Sequence, residues 1–193
     1  TLGNLVIRKP FPMLCRTLWK EPERYYQTYF SQVEGCYYAS DLALVDEDGY
    51  FWVVGRSDDA FNVAGHRLST MEIESAVLEC KGVSEAAVVG VPDSIKGEVP
   101  IVFVRLSDGV DDENIMTEKI NQSIIQHIGK IALPKEIIFA KTLPKTVSGK
   151  IMRRLLKEIH VKGSVTGDIT GLEDTDSVKH IQEILTHKKN VTG

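Results

Sequence analysis

The apolar run Ile101–Leu106 constrains the fold more than any other segment of this sequence. Its apolar side chains fall on both faces of a strand, which predicts a strand buried on both sides and central in its sheet. A second β-rich run covers Ala86–Val91, and we expect Pro92 to end it because proline lacks the N–H that a sheet ladder needs. A third, shorter strand is predicted over Ile137–Ala140.

Helical patterns surround these strands. The capping-box pattern Ser69-x-x-Glu72 opens a helix predicted over Thr70–Cys80. Apolar residues recur at helical spacing through Asn114–Ile128, and Ile151–Ile159 is predicted as a helix whose buried side includes Ile151. With a hairpin ahead of them, these elements predict an α+β domain: a three-stranded sheet with helices plus a β-hairpin.

Other segments flank this domain. The runs Leu42–Val45 and Tyr50–Val54, joined by Asp46-Glu-Asp-Gly49, predict a hairpin, and the polar stretch Gly55–Asp59 is a candidate domain boundary. The glycine- and acid-rich stretch 163–176 is either a tail that lies over a surface or a loose one, and a last amphipathic helix follows it. The chain opens in what looks like the middle of a strand, so we expect a piece of a longer protein.

Composition argues against several classes of protein. The net charge of −4 over 193 residues argues against non-specific binding to nucleic acid, and no apolar stretch approaches the roughly 18 residues of a membrane span. Cys15, Cys36 and Cys80 are odd in number and widely spaced, which indicates reduced thiols in a cytoplasmic protein. No histidine or cysteine pattern has ligand spacing, so we expect no metal site.

The segment 140–157 reverses the sign of the charge. It carries six basic residues and no acidic one, and it contains Ser148-Gly149-Lys150 directly before a predicted helix. A lysine on such a loop has a compact charged head on a flexible stem. That suits the neutralisation of charge that develops only in a transition state.

Each motif taken alone has a plainer explanation. Ser148-Gly-Lys150 lacks the upstream glycine spacing of a nucleotide P-loop, so by itself it favours a solvated lysine. Arg56 and Arg67 could clamp a phosphate or a ribose, or simply lie on the wet face of a hairpin. Asp41 could bind two adjacent sugar hydroxyls or cap a turn.

In combination the motifs resemble the adenylate-forming acyl-CoA synthetases, and within them most closely the AMP-forming acetyl-CoA synthetases. The resemblance extends over essentially the whole chain. In chain order, the segments that carry it are Tyr37-x-x-x-Asp41, Gly55-Arg56, Asn62-Val-x-Gly-His-Arg67, Ser69-x-Met-Glu-Ile-Glu-Ser-Ala76, Glu85-Ala-Ala-Val-Val-Gly-Val-Pro92, Pro144-Lys-Thr-x-Ser-Gly-Lys150, Ile151-Met-Arg-Arg-Leu155 and Gly167-Asp-Ile-Thr-x-Leu-Glu-Asp174.

The resemblance implies a truncated two-domain enzyme. Residues 1–57 would end the large domain that holds ATP and the carboxylate, 58–162 would be the small mobile C-terminal domain, and 163–193 a tail with a short helix. The implied reaction converts acetate, ATP and CoA into acetyl-CoA, AMP and pyrophosphate through acetyl-adenylate, with Mg²⁺ assisting and with the fragment inactive alone. A propionyl- or other short-chain acyl-CoA synthetase stays open as an alternative, as does a non-catalytic module that binds a nucleotide or a partner.

The resemblance also implies roles for single residues. Lys150 matches the catalytic lysine of the first half-reaction, and family members are regulated by its acetylation, so a lysine acetyltransferase and a deacetylase would be partners. Asp41 would accept hydrogen bonds from the ribose hydroxyls. Arg56 would contact the ribose and phosphate, and Arg67 the phosphate side of the nucleotide after the small domain closes.

The resemblance also assigns three residues to the movement of the small domain and to the binding of CoA. Asp58 occupies the hinge position, and Ala64 and Gly65 would line the CoA channel. The sequence departs from the family pattern at Ser40, where glycine is usual before the ribose aspartate, and at Ala64, where serine is frequent. At Ile125 relatives carry a CoA-binding arginine.

Overall fold

The computed structural model describes residues 2–192, and side chains over residues 3–188. The chain divides into two compact units, Thr1–Asp59 and Ala60–Gly193. Each unit has its own sheet. Among the described residues, no helix combines the length and the apolar composition that a bilayer-crossing segment requires.

The first unit is a three-stranded antiparallel sheet with one helix. Its elements are β1 (Leu2–Ile7), α1 (Pro22–Tyr29), β2 (Tyr37–Val45) and β3 (Phe51–Arg56), with β2 in the centre of the sheet. The predicted hairpin is confirmed: Asp46 accepts hydrogen bonds from the N–H groups of Asp48 and Tyr50 and from the indole of Trp52. These bonds lower the pKa of the Asp46 carboxyl, the Trp52 bond most of all.

The second unit is an α+β domain, as predicted. Its elements are β4 (Phe61–Val63), β5 (His66–Leu68), α2 (Thr70–Leu78), β6 (Val83–Asp93), β7 (Gly97–Leu106), α3 (Glu113–His127), β8 (Glu136–Phe139), α4 (Arg153–Lys162) and α5 (Asp176–Thr192). Strand β7 pairs antiparallel with β6 and parallel with β8, as the prediction requires, and the hairpin strands β4 and β5 extend this sheet to five strands. The predicted hairpin is β4–β5, and the single pair Val63↔Gly97 joins it to β7.

Helices cover both faces of this sheet, which explains why β6 and β7 are apolar on both sides. On one face Val88 and Val102 pack with α2 and α3. On the other face Val89 and Phe103 pack with α4 and α5. Burial on both faces is what the continuous apolar run predicts, and residues 99–104 of β7 are all buried.

Several predicted boundaries differ from the observed ones by one or two residues, and two of these differences have a clear physical cause. Strand β6 continues through Pro92 to Asp93, because Pro92 lies opposite Glu98 at the turn end of the ladder, where a missing N–H costs little. Helix α4 begins at Arg153 and not at Ile151, because Ile151 forms a β-bridge with Lys145. The partly buried Ile151 packs against the core from that bridge.

Glu136 connects both helices of one face to the sheet. It lies on β8 and accepts a hydrogen bond from His160 of α4 at 3.2 Å and from Lys188 of α5 at 2.9 Å. The bond with His160, helped by Lys188 and opposed by burial, lowers the pKa of Glu136 from 4.5 to about 2. A carboxyl with a lowered pKa stabilises the fold above its unfolded-state pKa and loses that contribution as the pH falls toward the folded-state value.

We therefore expect Glu136→Gln to lower the free energy of unfolding at pH 7 by about 1 kcal/mol, since the pair is partly exposed. The variant should also lose less stability than the parent as the pH falls from 4.5 to about 2. These are the ordinary pKa of the Glu136 carboxyl and its pKa in the folded protein. Urea unfolding at pH 7 and pH 3 measures both effects, and exposed Glu118→Gln is the control. Parallel pH curves for Glu136→Gln and the parent would contradict the assignment.

Candidate functional site

Lys150 follows a tight hairpin turn. Lys145 and Ile151 are bridged, and the Thr146 N–H donates to the Lys150 carbonyl at 2.9 Å. Inside the turn the Gly149 N–H donates to the Thr146 carbonyl at 2.7 Å, and Gly149 has φ +83°. A turn closed by a left-handed residue is a common three-residue hairpin loop, and glycine adopts that conformation without a steric penalty. The glycine before Lys150 is thus explained by the turn.

The residues after the turn are fixed by a buried ion pair. Arg153 donates from Nε to Glu74 Oε1 at 2.7 Å and from Nη2 to Glu74 Oε2 at 2.6 Å. Glu74 lies on α2, is buried, and also accepts from the Val88 N–H of β6 at 2.8 Å. A bidentate, charge-assisted pair of this kind defines the position of the start of α4 closely.

The strand before the turn is fixed by a second pair. Lys145 Nζ lies 2.7 Å from Glu85 Oε1 on β6, and Arg105 Nη1 of β7 lies 2.9 Å from the same oxygen. Burial raises the pKa of Glu85, but the hydrogen bonds from Lys145 and Arg105 outweigh it and lower the pKa overall. Both ends of the turn are therefore attached to β6 or to a residue bonded to it.

The ammonium group of Lys150 stands apart from these pairs. Four of the six basic residues in the segment 140–157 form ion pairs: Lys145, Arg153, Arg154 and Lys157. Lys150 is exposed, and over residues 3–188 no hydrogen bond or ion pair involves its Nζ atom. The backbone of Lys150 is held, and its charge is available to an external anion.

The β4–β5 hairpin holds three of the predicted site residues. Its two-residue loop is Ala64-Gly65, with φ +49° and φ +87°, and positive φ at both positions is typical of a type I′ turn. The Ala64 N–H donates to the Lys96 carbonyl at 2.8 Å, which fixes the loop against the β6–β7 turn. Arg67 is exposed and lies opposite Asn62 in the register of the hairpin.

The first unit brings together Asp41, Arg56 and Asp58. Asp41 of β2 and Arg56 of β3 are directly opposite each other in the antiparallel register. Arg56 forms a bidentate pair with Asp58, at 2.8 Å and 3.0 Å, and this hydrogen bonding raises the pKa of Arg56. Ser40, just before Asp41, has φ +65°, a conformation that favours glycine, so the backbone gives a physical reason for the usual glycine there.

Comparison with known proteins finds relatives of the segment that carries the Lys150 turn. A family model described as the AMP-binding enzyme C-terminal domain matches residues 72–150, from the first turn of α2 to the lysine after the turn. Residues 72–150 are thus similar to an AMP-binding enzyme C-terminal domain. The turn with Lys150 thus lies at the end of the matched AMP-binding domain.

Relatives extend the similarity over nearly the whole chain. The acetyl-coenzyme A synthetase of Pyrobaculum aerophilum is 51% identical over 177 residues, which are 92% of this chain and 26% of that protein. That of Pasteurella multocida is 50% identical over 186 residues, 94% of this chain and 28% of that protein. The chain therefore spans little more than a quarter of the length of these curated relatives.

Solved structures give the same fold. An anthranilate CoA ligase in complex with anthranoyl-AMP superimposes with a TM-score of 0.72 at 30% identity, over 82% of this chain and 30% of that one. The acetoacetyl-CoA synthetase of Streptomyces lividans gives a TM-score of 0.84 over 97% of this chain and 29% of that one; at 21% identity it supports the fold alone.

Sequence reasoning missed the two glutamates that position the Lys150 turn, Glu74 and Glu85. Glu74 lies among Ile73, Ala76 and Val77 on the buried face of α2, and a charged residue on an apolar helix face is a signal that could have been noticed. Its partner Arg153 is 79 residues away in the chain, so no local pattern connects them.

We expect Glu74→Ala to lower the free energy of unfolding by about 3–5 kcal/mol, because it leaves the Arg153 guanidinium without its buried carboxylate. Adding Arg153→Met should recover part of the loss, since an apolar side chain can replace a buried ion pair. Chemical denaturation of the single and double variants measures the coupling. Glu72→Ala, on the exposed face of the same helix, should cost less than about 1 kcal/mol, and an equal cost at both glutamates would contradict the role of the pair.

Proposed function

We propose that this chain is the C-terminal part of an AMP-forming acetate–CoA ligase, which makes acetyl-CoA, AMP and pyrophosphate from acetate, ATP and CoA through acetyl-adenylate. The proposal is carried by one combination: about 50% identity to acetyl-coenzyme A synthetases along more than nine-tenths of the chain, and a positioned lysine whose charge is unpaired within the described residues. The loop that cradles the ATP phosphates and the pocket for acetate would lie outside this chain, and the chain alone should be inactive.

Lys150 would act in the first half-reaction. A carboxylate that attacks the α-phosphate brings two anions together, and negative charge grows on the phosphate oxygens as pyrophosphate leaves. An ammonium group between the two reactants stabilises that charge distribution more in the transition state than in the ground state. The fixed turn supports this role because it places the backbone of Lys150 without engaging its Nζ atom.

Asp41 and Arg56 would bind the nucleotide as neighbours. A carboxylate can accept hydrogen bonds from two adjacent ribose hydroxyls, and the opposing guanidinium can contact the ribose and phosphate. To do so Arg56 would have to exchange its bond with Asp58, the proposed hinge residue. Both side chains are exposed, at 42% and 61%, so the exchange would cost about 1 kcal/mol or less.

The Ala64-Gly65 loop would serve the second half-reaction. After adenylation the domain would turn, Lys150 would withdraw, and this loop would line the channel for the CoA thiol arm. A Cβ atom at Gly65 would meet nothing within 4 Å, so the loop offers an open surface as well as a glycine required by its turn. Arg67, two residues on, would approach the phosphate side of the nucleotide when the domain closes over ATP.

The proposed reaction also needs a metal ion. Mg²⁺ accompanies ATP in such chemistry and offsets charge on the leaving pyrophosphate. Over the described part of the chain, no group of three or more His, Cys, Asp or Glu side chains is placed to hold a metal ion. The free thiols of Cys15, Cys36 and Cys80 fit a cytoplasmic enzyme.

Acetylation of the exposed Lys150 by an acetyltransferase would remove its charge and block adenylation until a deacetylase restored it.

In the complete enzyme, Lys150→Ala should lower acetate-dependent ATP–pyrophosphate exchange by at least 10²-fold, because one charge-stabilising donor is removed from the transition state. Thioester formation from supplied acetyl-adenylate and CoA should stay within about threefold of the parent, since that step does not use the lysine. Lys141→Ala is the matched control, an exposed lysine of the same basic segment with no role in the proposal. An equal loss in both half-reactions of Lys150→Ala would contradict the assigned role.

A further inference from the structure

The stretch after α4 forms a third strand beside the Lys150 turn. Thr146 and Leu172 form an antiparallel bridge. The Val147 N–H donates to the Gly171 carbonyl at 3.1 Å, and the Glu173 N–H donates to the Lys145 carbonyl at 2.8 Å. We call residues 171–173 the bracing segment. Residues 145–147 therefore pair on one side with 150–151 and on the other with the bracing segment.

The bracing segment is itself attached to the domain. Leu172 is partly buried and packs against the core cluster that contains α4 and α5. On one side of it, Arg154 of α4 donates to the Asp168 carbonyl. On the other side, Asp174 accepts from the Asp176 N–H at 2.9 Å and from the Ser177 N–H at 3.1 Å, which ties it to the start of α5. The tail predicted to lie over a surface or to be loose lies over this turn.

A third strand has a physical consequence for the turn. An isolated two-stranded hairpin is marginally stable in water, and a further strand with an apolar contact makes it persistent. The ion pairs of Lys145 and Arg153 hold side chains at the two ends of the turn, whereas the bracing segment holds its backbone next to the loop. The backbone position of Lys150 thus depends on hydrogen bonds made about 22 residues further along the chain.

We propose that the bracing segment is a positioning element for Lys150: its backbone bonds to Lys145 and Val147 keep the turn in the geometry that adenylation needs. This inference rests on the proposed function of Lys150. Misplacement of a catalytic group by about 1 Å can cost about 10²-fold in rate. The bracing segment should therefore affect the first half-reaction, which uses Lys150, and leave the second largely unchanged.

Two pairs of variants separate the backbone bonds from the side chains. Glu173→Pro removes the N–H that donates to Lys145, and Glu173→Ala removes the exposed side chain but keeps the N–H. Val147→Pro removes the opposite bond, at a turn position after Thr146 where proline is favoured, so the turn itself should close. Val147→Ala keeps that N–H and is its control.

Hydrogen exchange of this chain reports the bracing directly. In Glu173→Pro the Val147 amide should exchange at least tenfold faster than in Glu173→Ala, and in Val147→Pro the Glu173 amide should do the same relative to Val147→Ala. In the complete enzyme, both proline variants should lower ATP–pyrophosphate exchange at least tenfold. Thioester formation from supplied acetyl-adenylate should stay within about threefold, and both alanine controls should resemble the parent.

The results that overturn the proposal are distinct from those that overturn the function of Lys150. An equal fall of both half-reactions in the proline variants would make the segment merely structural, and faster exchange of the amides with unchanged adenylation would show that Lys150 does not depend on it. If neither amide exchanges faster, the bracing bonds do not hold the turn. If Lys150→Ala leaves adenylation intact, the proposed function fails, while the amide measurements still report whether the segment fixes the turn.

Discussion

The buried pair between Glu74 and Arg153 is the interaction on which the rest of the second unit depends. It connects α2, the edge of β6 and the first residue of α4 through one carboxylate. Separating such a pair costs several kcal/mol because the buried Glu74 carboxylate would lose its charged partner. The register between the turn and the sheet is consequently well defined. A shift of α4 by one residue would break the two bonds from Arg153 to the buried Glu74 carboxylate, which disfavours other registers of the basic segment.

Some basic residues of the segment 140–157 are held in ion pairs and others are not, and this difference creates the candidate site. Lys145 and Arg153 are held by glutamates of the sheet and of α2, so their charges are neutralised locally. Lys150 lies between them on the backbone of a closed turn and carries a charge that is not neutralised by the described residues. Because the backbone of Lys150 is already fixed, less conformational entropy is lost when an anion binds. The side chain stays flexible, so its ammonium group can still reach the anion.

Sequence patterns predicted the elements but not the contacts that position the site. A continuous apolar run predicted β7 and helical spacing predicted α3, because burial dictates residue type along each element. The turn residues 46–49 predicted the hairpin of β2 and β3. The sequence placed Lys150 on a loop directly before a helix, and the resemblance implied its catalytic role. The bridge between Thr146 and Leu172 could not be predicted, because a backbone hydrogen bond imposes no residue type. The extension of β6 through Pro92 was missed for a different reason. Proline is excluded from the interior of a sheet ladder because it lacks an N–H, but Pro92 lies at the end of the ladder, where that N–H is not needed.

The two turns proposed to serve successive half-reactions are both closed by backbone geometry. Gly149 closes one with φ +83°, and Ala64 and Gly65 close the other with positive φ at both positions. Each turn is also bonded to neighbouring backbone, at Gly171 and at Lys96. Neither loop therefore has the freedom to enter and leave a site by bending. If the complete enzyme uses both in turn, the movement has to be that of the whole domain about the segment next to Asp58. The exposed, weak pair of Asp58 with Arg56 is the kind of contact that can break and re-form at low cost.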